Sequence, residues 1–172
     1  MRSKTADWKD LRDEYKQGNK GTEAGWGILI VDDDRETHSV TKFALSDYEF
    51  EGRGLRFQHA YSGDEAKQVL REANGLAVVL LDIVMESNKA GLCLVDFIRK
   101  ELKNPFVRII MRTGQPVRSP EYDLISDYDI NEYLNKADLT DTRLCTAITS
   151  ALRSYSHIQA EELEKVRVSS GS

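Results

Sequence analysis

A chain of 172 residues, 40% of them hydrophobic, can bury one core of ordinary domain size plus appendages, which argues against a second full domain within this length. A net charge of −5 with no basic run disfavours direct nucleic-acid binding, because phosphate backbones demand a segregated positive face. The longest uncharged apolar run, residues 76–81, falls far short of the ~20 residues of a membrane span, and the N-terminus has no apolar signal region. Cys93 and Cys145 form neither a disulfide framework nor a CxxC metal pair, so the sequence reads as soluble and cytoplasmic, with no membrane contact.

Residues 1–25 mix both charge signs with Gly18, Gly21 and Gly25, and only Trp8, Leu11 and Tyr15 suggest a helical stripe. They read as a flexible leader. From Trp26 onward short apolar segments alternate with amphipathic ones. Clusters of Val, Ile, Leu, Phe and Tyr between turn signals predict strands near 27–32, 55–61, 76–82, 106–112 and 130–135. Helices are predicted near 35–48, 63–73, 91–102, 120–127 and 139–166. Asp33 followed three residues later by Glu36 reads as a capping box, Asp34 as a cap or solvated turn, and Ser119-Pro120-Glu121 as an N-cap with an N1 proline.

Five β-α alternations predict an α/β fold: a doubly wound, five-stranded parallel sheet with helices on both faces and right-handed crossovers. In such folds ligands sit beyond the C-terminal ends of the strands. The last helix keeps an apolar stripe (Leu144, Ile148, Leu152, Tyr155, Ile158, Leu163, Val166) beyond what a five-stranded core needs. It is either an overhanging terminal helix or a dimerising or linking one. The expected organisation is a leader at 1–25, a domain at 26–155 and a helical extension at 156–172.

The strand ends carry the chemistry. The most apolar strand closes on Asp82, the first delivers Asp32 and Asp33, the fourth ends in Thr113 and the fifth in Lys136. Crowded carboxylates repel one another unless a hard divalent cation neutralises them through oxygen ligands, and Mg²⁺ suits such a site. An ammonium and a hydroxyl across from them suit phosphate oxygens. Together these groups describe a phosphoryl site with Asp82 as nucleophile. Taken singly, Thr113 reads as a turn hydroxyl, Lys136 as a surface charge and Gly114 as a turn or a steric opening. His38, His59 and His157 read as exposed or core residues away from the site.

The ordered blocks ILIVDDD, VVLLDIVM, IIMRTG and EYLNK, over about residues 27–155, resemble the receiver domains of bacterial two-component response regulators, the CheY-like proteins. The resemblance implies strand order 2-1-3-4-5. It also implies that Asp82 accepts phosphate from the phosphohistidine of a sensor histidine kinase or phosphotransfer protein. Asp32, Asp33, Asp82 and the main-chain carbonyl of Val84 would hold Mg²⁺; Thr113 and Lys136 would bind the phosphoryl oxygens. Tyr133 would be the switch aromatic, and Thr113 would move with it. The fourth helix, fifth strand and fifth helix would carry the signal, and either that surface or the C-terminal helix could form a homodimer. Blocks 111–116 and 128–133 resemble a narrower subgroup found ahead of a sensor-like domain and HD-GYP or kinase modules, a resemblance that leaves room for a downstream output domain or partner.

Three departures stand out. Ala137 replaces the proline that usually follows the lysine with a cis bond; before a non-proline residue such a bond costs about 2.5–4 kcal/mol, so this loop should differ. Glu86 stands where a proline is common, in a long polar loop at 86–90. The turn at 49–54 is enlarged. The resemblance implies a switch whose only chemistry is its own phosphorylation and dephosphorylation, not an enzyme. Alternatives are a receiver-like interaction domain working without phosphate, and a Mg²⁺-dependent phosphohydrolase of the haloacid-dehalogenase type, whose second acid position is here Val84.

Overall fold

The computed structural model describes residues 25–87, 89–114 and 128–169. Five parallel strands, β1 (Gly25–Val31), β2 (Gly54–Ala60), β3 (Leu76–Asp82), β4 (Arg108–Thr113) and β5 (Glu132–Asn135), form one sheet in the order β2-β1-β3-β4-β5. The three inner strands are almost wholly buried because both of their faces are covered, and β1 and β3 are nearly continuous apolar runs. Helices α1 (Arg35–Ala44), α2 (Gly63–Glu72), α3 (Ala90–Asp96) and α4 (Asp141–Ser169) cover them.

The two-residue period of the strands sorts the core into two layers. Leu29, Val31, Val79, Leu81, Ile109, Met111 and Tyr133 pack with α2 and α3. Ile28, Ile30, Val78, Leu80, Ile110 and Leu134 pack with Leu45 after α1 and with Leu144, Ile148 and Leu152 of α4. Each fully buried Leu or Ile contributes roughly 1.5–3 kcal/mol, so these layers hold the domain together.

Local structure corrects several expectations. Asp34, not Asp33, caps α1: its carboxylate accepts the Glu36 amide at 2.9 Å and the Thr37 hydroxyl at 3.1 Å, and these bonds lower its pKa. Helix α1 stops at Ala44 rather than 48. Helix α3 tightens no further but widens into a π turn over Phe97–Glu101. Phe50 and Arg53 exchange main-chain hydrogen bonds around Glu51 and Gly52, both at positive φ, so the enlarged turn is a compact hairpin. The Lys136–Ala137 bond is trans, and residues Lys136–Asp138 form a 3₁₀ turn whose Ala137 amide donates to Asn135 Oδ1 at 2.9 Å.

Helix α4 is continuous through Ser169, but its last buried residue is Tyr155; Leu163 and Val168 are 48% and 66% exposed. No helix among the described residues is long and apolar enough to cross a membrane. The expected leader up to Ala24, Ser119 and the helix near 120–127 lie outside the described residues.

Candidate functional site

Strand register brings the polar strand ends together. Val31 pairs with Leu81 and Asp82 with Arg112, so Asp32, Asp82, Arg112 and Lys136 fall on the strand parity that faces α1 and α4. Carboxylate oxygens of Asp32, Asp33 and Asp82 all lie within 4.8 Å of one another. The Lys136 ammonium sits between two of them, 2.7 Å from Asp82 Oδ2 and 2.9 Å from Asp32 Oδ2. Asp32 and Asp82 are buried while Asp33 is exposed.

Main-chain amides fix both inner carboxylates. Asp34 N–H donates to Asp32 Oδ1 at 3.0 Å, and Val84 N–H to Asp82 Oδ1 at 3.2 Å. Burial raises the Asp82 pKa above its ordinary value, with Lys136 pulling the other way. Burial also pulls Lys136 down, but its bonds to Asp82 and Asp32 outweigh that and hold it above its usual range. The ammonium therefore stays charged throughout the neutral range.

Asp32 Oδ2 accepts no well-aligned hydrogen bond although it is buried; its lysine contact is ionic. A buried oxygen with no aligned hydrogen bond, in a triad of close carboxylates, is a donor set suited to a hard divalent cation, so Mg²⁺ fits these residues. Thr113 is buried at the end of β4 on the opposite parity, in register with Asn135, and Tyr133 is buried in the α2–α3 layer beside Met111. Three of the sequence-derived groups (Asp32, Asp82, Lys136) are thus in direct contact, and Asp33 is within reach of them. Thr113 and Tyr133 flank the site on the other face of the sheet.

Sequence reading missed four features. Arg112 is 1% exposed, donates to Thr41 Oγ1 at 2.8 Å and places Nη2 3.8 Å from Asp32 Oδ2. Its signal was a basic residue inside an apolar run, two positions after Ile110 on the same face. His38 is not remote: Nε2 lies 2.8 Å from the Asp32 carbonyl and Nδ1 2.8 Å from His59 Nδ1. A carbonyl only accepts, so His38 Nε2 carries the proton and its Nδ1 accepts from His59. Glu86 folds back to accept the Gly63 amide at 2.9 Å, placing its charge at the N-terminus of α2 and tying down the long loop after Asp82. Gly91 is the fourth: a Cβ there would lie 2.3 Å from the Asp82 carbonyl oxygen and 2.7 Å from Ile83 Cα. Only glycine lets α3 approach the loop this closely.

A cleft of about 290 Å³ opens on the α1–α4 side, lined among others by Asp34, Thr41, Arg112, Lys136 and Asp141. It gives solvent a route to the cationic side of the cluster. The opposite face is closed by the apolar layer under α2 and α3.

No family model matches the chain. It is 41% identical over 144 residues to the 3'3'-cGAMP-specific phosphodiesterase 2 of Vibrio cholerae serotype O1, a match that spans 84% of the chain and 28% of that relative. Among solved structures, a CheY-like response regulator receiver domain from Methanospirillum hungatei JF-1 matches with a TM-score of 0.64 at 24% identity, over 77% of this chain and 98% of that one. The signal receiver domain of an HD domain-containing protein from Pseudomonas fluorescens Pf-5 gives 0.66 at 22% identity, again over 77% and 98%. With its five parallel strands in the order 2-1-3-4-5 and its acids at their C-terminal ends, the chain has the fold of the CheY-like response-regulator receiver domains.

Proposed function

We propose that the chain is a phosphorylation-dependent switch of a two-component phosphorelay, with Asp82 as phosphoacceptor. The observation that carries this reading is the Lys136 ammonium spanning Asp82 and Asp32 at 2.7 and 2.9 Å beside a third carboxylate. A receiver fold alone supports a signalling role; this constellation supports the chemistry.

In the proposed step an Asp82 carboxylate oxygen bonds to phosphorus as the P–N bond of a partner's phosphohistidine breaks. The imidazole leaves with the bonding electron pair and takes up a proton. Mg²⁺, held by Asp32, Asp33, Asp82 and the main-chain carbonyl of Val84, would neutralise the phosphoryl oxygens. Lys136 gives up its bond to Asp82 Oδ2 and follows the new charge, while the Val84 amide keeps Oδ1 oriented. Thr113 supplies a hydroxyl to the phosphoryl group, and its movement shifts Tyr133 between packings, which changes the surface of β5 and α4.

The kinase or phosphotransfer partner, a cytoplasmic setting and a downstream output domain belong to the same reading. The match to part of a longer phosphodiesterase supports an output domain. We assign residues 26–155, together with Gly25 at the start of β1, to the switch, the residues before them to a leader and 156–172 to a connecting or dimerising helix. The last assignment rests on the exposed apolar residues of α4 beyond Tyr155. Val84 in place of a second acid speaks against a hydrolase of the haloacid-dehalogenase type.

The test is intact mass after incubation with a small phosphodonor, with and without Mg²⁺, for wild type and Asp82→Asn. A single phosphate-sized gain that requires both the metal and Asp82 is expected. No gain in wild type would favour an interaction domain that works without phosphate.

A further inference from the structure

Arg112 is a buried cation without a full partner. A guanidinium normally meets a carboxylate as a two-pronged fork at 2.7–2.9 Å. Here the nearest carboxylate oxygen, Asp32 Oδ2, lies 3.8 Å from Nη2, and neither Nη2 nor Nε finds a hydrogen-bond acceptor among the described residues. What holds the side chain is Thr41: its Oγ1 accepts from Arg112 Nη1 at 2.8 Å and donates to the Thr37 carbonyl at 2.7 Å. Helix α1 therefore keeps the guanidinium close to Asp32 but off it.

That placement leaves Asp32 Oδ2 with Lys136 as its one close cation while raising the local positive potential. Three carboxylates facing Lys136 and Arg112 leave one net negative charge; without Arg112 they would leave two. A dication is drawn more weakly to the first arrangement, and the weak dielectric of a buried site strengthens the difference. Oδ1 of Asp32 is already engaged by the Asp34 amide, so Oδ2 is the oxygen for which metal, Lys136 and Arg112 compete.

We propose that Arg112, held back by Thr41, is a built-in counter-cation that weakens divalent-cation binding at Asp32, Asp33 and Asp82 and so sets the Mg²⁺ concentration at which the switch is loaded. The inference rests on the metal reading proposed above. It makes Arg112 a positioning residue, acting on the metal ligands and not on the phosphoryl group.

The test is calorimetric and thermal titration of the full chain with MgCl₂, comparing wild type with Arg112→Met and Arg112→Gln. Methionine keeps an unbranched side chain without charge; glutamine also removes the charge but retains a donor for Thr41, and carries the test if the methionine variant does not fold. Both variants should bind Mg²⁺ with a Kd lower by about tenfold, and show a larger Mg²⁺-dependent rise in melting temperature. A merely structural arginine would change the metal-free melting temperature and leave the Mg²⁺ affinity alone. Equal or weaker Mg²⁺ binding by the variants, with binding still abolished in Asp33→Asn, overturns the role of Arg112 alone. Absence of Mg²⁺ binding in wild type and variants alike overturns the metal reading, and this inference with it.

Discussion

The two ends of the sheet are built from the same strands and behave as opposites. At the N-terminal end, Trp26 packs edge-on to Tyr155 of α4 at 6.4 Å between centroids, donates its indole N–H to the Phe50 carbonyl at 2.9 Å and lies under the Arg53 guanidinium. Apolar area is buried there, and the indole N–H of Trp26 is satisfied. At the C-terminal end Asp32, Asp82 and Arg112 are equally buried, yet their charges are only partly compensated. Helix α4 spans both, entering beside Lys136 and passing Trp26 before leaving the core. Burying unmatched charge costs stability and is tolerated where chemistry uses it, the role the proposed function gives to the C-terminal end.

The largest expected effect separates the ends by chemistry. Lys136→Met should slow phosphate uptake by about 10²-fold or more, as loss of a preorganised electrostatic partner does, when uptake is followed by mass spectrometry under a small phosphodonor. An unchanged rate would mean that the lysine contact with Asp82 is only a resting ion pair.

Leu152→Ala makes the complementary break. Leu152 is fully buried under the sheet, so its truncation should cost about 2–5 kcal/mol in urea unfolding and leave uptake per folded molecule unchanged. Gly91→Ala should fall between the two. Its Cβ must displace the backbone that carries Asp82, at a cost of roughly 1–3 kcal/mol and with a slower uptake rate.

The smallest effect is on pH. His59 has its pKa lowered from 6.5 by burial first, then by the neighbouring His38 and Lys42. Between its folded value and 6.5 the unfolded chain binds more protons than the folded one. Stability should therefore be full above 6.5 and decline as pH falls below it, and His59→Gln should flatten that decline in melting temperature against pH.

Where pattern and local chemistry agree, the sequence is legible. Apolar runs mark β1, β3 and the Ile109–Met111 centre of β4, and acids at two strand ends together with a terminal lysine mark the cluster. The rest depends on tertiary contacts. Arg112 looks like an interruption in IIMRTG until strand register places it next to Asp32. His38 is one polar residue on an amphipathic helix until α1 packs it against the Asp32 carbonyl. The capping role passed from Asp33 to Asp34 because Asp32 Oδ1 takes the Asp34 amide and turns the loop by one residue. Glu86 found its role through a helix 23 residues earlier, a distance no local pattern reports.

The account stands on Asp82 as the atom-level acceptor, and reductive trapping tests that directly. After incubation with a phosphodonor and Mg²⁺, borohydride reduces an aspartyl phosphate to homoserine, and peptide mapping then locates it. The modification should appear at position 82, in the peptide that contains β3, and vanish when Mg²⁺ is omitted. Its appearance at Asp32 or Asp33 instead, or its absence from every acid of the cluster, would contradict the account.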